Sequence, residues 1–130
     1  MSVRAGIDLV SVDAVRESLS THGNHYLDRV YTEREVQDCT GANGVDPERL
    51  AARFAAKEAA LKVLRPGDTG VSLREIEVRR SPEGWVDLEL SGPAATIAAE
   101  AGLSDFSVSV THEGGFASAV VIASLDLRNR

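Results

Sequence analysis

The sequence predicts an α+β fold, with a mainly antiparallel sheet packed on a long central helix. Three observations carry the prediction. Apolar residues alternate with polar ones near both ends of the chain, the period of a strand. Residues 47–64 are mostly strong helix formers with an apolar stripe at helical spacing. The elements follow the order strand, helices, hairpin, helix, hairpin.

The first strand is expected over 3–10. Val3, Ala5, Ile7 and Leu9 alternate there with Arg4, Gly6, Asp8 and Val10. Asp8 faces opposite to Ile7 and Leu9. Asp is disfavoured in strands, and Gly6 just before it leaves room for a close neighbour. Asp8 as a turn former or helix cap at the strand end is an equal reading of that position. A short helix follows over about 12–19, and Thr21–Asn24 is a loop. Tyr26, Leu27, Val30 and Tyr31 give another apolar helical turn. Thr32 and Glu35 match a capping box that opens a short helix to about Asp38. Residues 39–45 read as a mobile loop. His22 and His25 have no partner at metal spacing and read as surface residues.

Asp46 is placed to cap the central helix and Pro47 to occupy its first turn; Pro66 and Gly67 stop it. Leu50, Phe54, Leu61 and Leu64 form its apolar stripe. Lys57 falls in the middle of that stripe, where a lysine needs a partner or a charged cavity for its ammonium. Beyond the helix, Val71–Arg80 and Trp85–Leu90 flank a turn at Ser81–Gly84. Trp85 is the one tryptophan; partner stacking and packing at the strand end both suit it. A helix over 93–101 ends at Gly102. Residues 106–111 and 116–125 then form strands around a turn at Glu113–Gly115, with His112 at the end of the first. A hairpin-end histidine bonded to backbone is the plain reading of His112.

A chain of 130 residues can bury a real core as one domain, and 43% apolar with 26% charged residues is ordinary for a globular protein. No apolar run is long enough to span a bilayer, so no membrane role is expected. No signal peptide is visible, and the single cysteine, Cys39, fits a reducing, cytoplasmic setting. A net charge of −6 argues against general nucleic-acid binding. Gly-x-Ser-x-Gly, Walker and Gly-x-Gly-x-x-Gly patterns are absent.

Two carboxylates stand out, Asp8 on the first strand and Glu58 on the central helix. If strand and helix pack together, they supply the oxygen pair that Mg²⁺ prefers. Lys62, one turn beyond Glu58, is placed to neutralise phosphate or move a proton, and Lys57 and Arg53 add positive charge to the same helix. Phosphoryl transfer uses such parts. On spacing alone, a plain surface pair between Glu58 and Lys62 is the commoner arrangement.

The sequence resembles the AcpS-type holo-acyl-carrier-protein synthases of the phosphopantetheinyl transferases. The resemblance rests on Gly6-Ile7-Asp8 and on Phe54-Ala55-Ala56-Lys57-Glu58-Ala59-Ala60-Leu61-Lys62. Leu73–Val78, Ser107–His112 and Ala117–Val121 extend it over almost the whole chain. It implies the phosphopantetheinyl transferase fold, with residues 1–130 as one domain. It implies transfer of the phosphopantetheine arm of coenzyme A to a serine of an apo acyl carrier protein, releasing adenosine 3′,5′-bisphosphate. Asp8 and Glu58 match the family's Mg²⁺ ligands. Lys62 matches the lysine beside the reacting phosphate. Arg53, Lys57 and His112 match residues lining the coenzyme A site. A homotrimer with active sites between subunits is implied as well.

The chain departs from the family pattern at three places. Ala14 stands where a carrier-docking basic residue is usual, with Arg16 close by. Arg65 replaces a glycine after the central helix. Gly84-Trp85-Val86 replaces a Gly-basic-Pro near the expected adenine contacts. These leave open a specialised member serving a polyketide or other secondary-metabolite carrier. The rival reading is a catalytically silent module that binds carrier protein or coenzyme A.

Overall fold

The computed structural model describes residues 1–127. Strand β1 (Ser2–Ser11) leads through α1 (Val12–His22), α2 (Asn24–Val30), α3 (Glu33–Asp38) and the short strands β2 (Thr40–Gly41) and β3 (Gly44–Val45) to the central helix α4 (Pro47–Leu64). A 3₁₀ turn (Leu73–Glu75) precedes the hairpin of β4 (Ile76–Arg80) and β5 (Val86–Leu90). Helix α5 (Gly92–Ala101) then leads to the long hairpin of β6 (Leu103–Glu113) and β7 (Phe116–Leu125). The last hairpin and β1 make a three-stranded antiparallel sheet in the order β1-β7-β6. The expected α+β class is what forms. The strand expected over Val71–Arg80 begins with the 3₁₀ turn instead, and the expected loop over 39–45 carries a two-residue antiparallel ladder, Thr40–Gly41 on Gly44–Val45.

The caps set the ends of α4. The Asp46 side chain accepts from the Glu48 amide, and Pro47 fills the first turn, where its missing N–H costs nothing. At the far end Arg65 turns left-handed, with φ 54°, and its amide bonds the Leu61 carbonyl at 2.9 Å. The expected apolar stripe is only part of the buried face. Leu50 and Leu64 are buried and Phe54 and Leu61 half-buried, and Ala51, Ala52, Ala55, Ala56, Ala59 and Ala60 are buried beside them. Small side chains let the helix lie close on the sheet, which meets it with Val10, Ala117, Ala119, Val121 and Ala123.

The strand β1 shows its more apolar side to solvent. Gly6 and Val10 turn toward α4, while Val3, Ile7 and Leu9 point away, with Ile7 64% and Leu9 66% exposed. Phe116 and Ile122 of β7 are exposed too. Among the described residues, no helix is long and apolar enough to cross a membrane. His22 and His25 are exposed, as expected.

Candidate active site

Asp8 lies on the helix-facing side of β1, opposite Ala119 of β7. The Ser118 hydroxyl donates to the Asp8 carbonyl at 2.9 Å and ties the two strands there. Glu58 and Lys62 face this strand one turn apart on α4. Because β1 is an edge strand, part of its main chain is open to other partners. Lys62 Nζ donates to the Ile7 carbonyl at 2.7 Å and to Asp8 Oδ1 at 3.3 Å. Lys62 therefore makes its ion pair across to the strand, not along its own helix with Glu58.

Burial pushes the Glu58 carboxyl above the usual glutamate range, the negative charge of Asp8 pushes it further, and Lys62 pulls it back. The two carboxylates thus sit close enough to repel. Two carboxylates beside a lysine fit a hard cation such as Mg²⁺, which takes one or two protein carboxylates and completes its shell with water and substrate phosphate. Among the described residues, no three His, Cys, Asp or Glu side chains gather into a fuller ligand set.

Lys57 requires a correction. The expected role in a coenzyme A site needs its ammonium at an open surface, yet the side chain is 0% exposed. Its Nζ donates to Glu35 Oε1 at 2.7 Å, to the Leu73 carbonyl at 2.9 Å and to the Ile76 carbonyl at 2.7 Å. Three donors meet three acceptors, so none is left for a phosphate. Glu35, which sequence reasoning credited only with a capping box, is the residue that was missed. Its Oε1 also accepts from the Thr32 amide at 2.8 Å, and its Oε2 accepts from the Val78 amide at 2.8 Å. The capping pattern was legible; the second use of the same carboxylate depends on tertiary contact.

Arg53 is buried, 7% exposed, and its Nε makes no hydrogen bond among the described residues. A buried guanidinium N–H left unmatched is costly, and an anion would satisfy it. His112 stands at the other end of the helix, with Nδ1 3.4 Å from Glu48 Oε1 in the first turn of α4. Ten residues of helix separate Glu48 from Glu58, about 15 Å. Within one chain His112 is therefore apart from the acidic pair, and both belong to one site only for an extended ligand. Cys39 is buried, and burial pushes its thiol up to about 11, which suits packing and not nucleophilic attack.

A family model described as the 4′-phosphopantetheinyl transferase superfamily matches residues 4–121. The chain is similar to a holo-acyl-carrier-protein synthase of Salinispora arenicola, 42% identical over 123 residues that cover 95% of this chain and 98% of the relative. It is also similar to one of Desulforudis audaxviator, 39% identical over 95% of this chain and 93% of the relative. Among solved structures it resembles one titled as the Chronobacterium ammoniagenes ACPS-CoA complex, with TM-score 0.84, 29% identity, and coverage of 97% of this chain and 99% of that one. The matched span holds Asp8, Glu58 and Lys62 on the strand and helix that bring them together, and the chain belongs to the 4′-phosphopantetheinyl transferase superfamily.

Proposed function

We propose that this protein transfers the 4′-phosphopantetheine arm of coenzyme A to a serine hydroxyl of an apo acyl carrier protein. The observation that carries this reading is the cluster of Asp8, Glu58 and Lys62, in which Lys62 bridges to the strand and Glu58 feels the charge of Asp8. The serine oxygen bonds to the phosphorus that bears pantetheine. The bond from that phosphorus to the bridging oxygen breaks, and adenosine 3′,5′-bisphosphate leaves with the bridging oxygen. The serine proton passes to a base. Lys62 opposes the charge that grows on the phosphate oxygens. Asp8 and Glu58 are the residues that would hold Mg²⁺, which would supply charge screening for the pyrophosphate. The half-exposed His112 suits one of the remaining phosphate or nucleotide contacts of coenzyme A, whereas Arg53, buried like Lys57, would have to swing outward before its unmatched Nε could meet a phosphate.

The same reading includes a homotrimer with sites between subunits. The open apolar side of the sheet, with Val3, Ile7, Leu9 and Ile122, supports burial against further copies. The exposed Ala14 on α1 supports a carrier that is docked by other residues, and a polyketide carrier belongs in the test beside a fatty-acid one. A buried, reduced Cys39 suits a cytoplasmic setting.

The test incubates the protein with coenzyme A, Mg²⁺ and a panel of apo carrier proteins. The expected result is a phosphopantetheine mass gain on one carrier serine. Coenzyme A binding with no mass gain on any carrier would sink the transferase reading in favour of a silent binding module.

A further inference from the structure

The acidic pair and its lysine lie where β1 and α4 approach closely, and Gly6 stands at the tightest point beside them. A Cβ built on Gly6 would lie 2.2 Å from the Ala59 carbonyl oxygen and 3.1 Å from both the Ala59 carbonyl carbon and Lys62 Cβ. The obstacle is main chain inside a helix, so it cannot swing aside as a side-chain end would. Gly6 is not among the residues with positive φ, so the backbone conformation does not demand a glycine. Glycine also weakens a strand interior. Its place in β1 is explained by proximity alone.

The surroundings say what the proximity serves. Asp8 is two residues further along the strand on the same face as Gly6. Glu58 and Lys62 flank Ala59 on the helix, and Lys62 spans the gap to the Ile7 carbonyl at 2.7 Å. Bringing a methyl out to ordinary contact would part strand and helix by roughly 1 Å at this point. The far end of the same interface is held separately, by Arg4 donating to the Val63 carbonyl at 2.9 Å. A wedge at Gly6 would therefore open the side where Asp8 meets the helix.

We propose that Gly6 is a positioning residue of the catalytic cluster: its missing side chain sets the distance between the strand that carries Asp8 and the helix that carries Glu58 and Lys62. This rests on the transferase reading above and adds to it a residue that touches no substrate. The experiment compares Gly6→Ala with Val121→Ala, a core truncation opposite Gly6 on β7 that lowers stability without wedging strand from helix. Mn²⁺, as a paramagnetic stand-in for Mg²⁺, is titrated by electron paramagnetic resonance, and circular dichroism reports the fold. Gly6→Ala should weaken Mn²⁺ binding about tenfold or more and lower kcat/KM on the order of 100-fold, while Val121→Ala keeps the affinity of the unaltered protein.

Equal Mn²⁺ affinity in Gly6→Ala and the unaltered protein would overturn the proposal, as would equal weakening in Val121→Ala. If Gly6→Ala alone does not fold, it is read in an Arg65→Gly background, which relieves left-handed strain at the helix end. Failure to fold there too would also overturn the proposal, because Gly6 would then serve the fold as a whole. An unaltered protein that binds Mn²⁺ but never modifies a carrier would sink the transferase reading and leave the Gly6 comparison intact.

Discussion

Lys57 and Lys62 stand five residues apart on one helix, and the fold treats them in opposite ways. Lys57 is 0% exposed and Lys62 56% exposed. Lys57 has a carboxylate and two carbonyls as partners, all held by neighbouring elements. Lys62 has one strand carbonyl and the edge of Asp8, with the rest of its ammonium open to solvent. Burial lowers the pKa of Lys57 while Glu35 pulls it back up, a balance that keeps the charge only because the partner is present. Helix α4 thus has a sealed side that holds the fold and an open side that offers charge to a ligand. Two lysines of one motif have different work because the surface each meets is different.

The largest effect should come from breaking the sealed side. Lys57→Met leaves the Glu35 carboxylate buried without its cation, which costs about 3–5 kcal/mol in such pairs. Urea unfolding should show that loss. The double change Lys57→Met with Glu35→Leu should recover part of it, although the Thr32 and Val78 amides then lose their acceptor. If Lys57→Met folds with full stability and instead loses coenzyme A affinity, the division of α4 into two sides is wrong.

The open side should respond in activity and not in stability. Lys62→Ala should lower kcat by about 100- to 1000-fold, the loss typical of one transition-state charge partner, with the unfolding midpoint nearly unchanged because exposed pairs contribute about 0–1 kcal/mol. Glu58 gives a sharper test through pH. Its pKa is raised in the folded chain by burial and then by Asp8. A carboxyl raised on folding adds stability below its unfolded value, and that stability is lost as pH rises through the folded value. Ionised Glu58 is therefore a standing cost near neutral pH, and Glu58→Gln should leave the metal-free protein as stable or more so while abolishing transfer. Mn²⁺ affinity should fall on acidification at a higher pH than an ordinary glutamate would give. In Lys62→Met, which removes the charge pulling the Glu58 pKa down, the fall should begin at higher pH still. An unchanged profile in Lys62→Met would mean that the two groups do not interact.

The sequence displayed the elements well because their signals are local. Asp46 and Pro47, Thr32 with Glu35, and Gly102 after α5 mark ends that neighbouring residues alone determine. Asp8 stood out because Asp is disfavoured in a strand, whereas Glu58 reads on spacing alone as a surface partner of Lys62, and only the packing of β1 on α4 sets it against Asp8. What escaped was orientation. Alternation in β1 tells which residues share a face but not which face meets the helix, and apolar Ile7 and Leu9 look like the inner one. The alanine-rich side of α4 favours the Gly6 side, where the strand can come close. The fate of Lys57 escaped because Glu35 lies 22 residues earlier and already had a local task in the capping box.

The smallest effect concerns neither side of α4 but its end. Arg65 adopts φ 54° and ψ 61°, where a Cβ crowds the following carbonyl. Glycine has no such penalty, and Arg65→Gly should raise stability by about 1 kcal/mol, equivalent to about 4 °C in Tm for a chain of this size. Arg65→Ala keeps the Cβ and should give no comparable gain, so a calorimetric scan of both variants separates strain from loss of the guanidinium. Equal gains would mean that the arginine side chain, not the backbone, is the source of the cost. Because Arg65 lies beyond both lysines, Arg65→Gly should leave the Lys57–Glu35 lock and the Mn²⁺ affinity as they are. If either moves with it, the helix end is coupled to its two sides, and α4 is less a rigid divider than its packing implies.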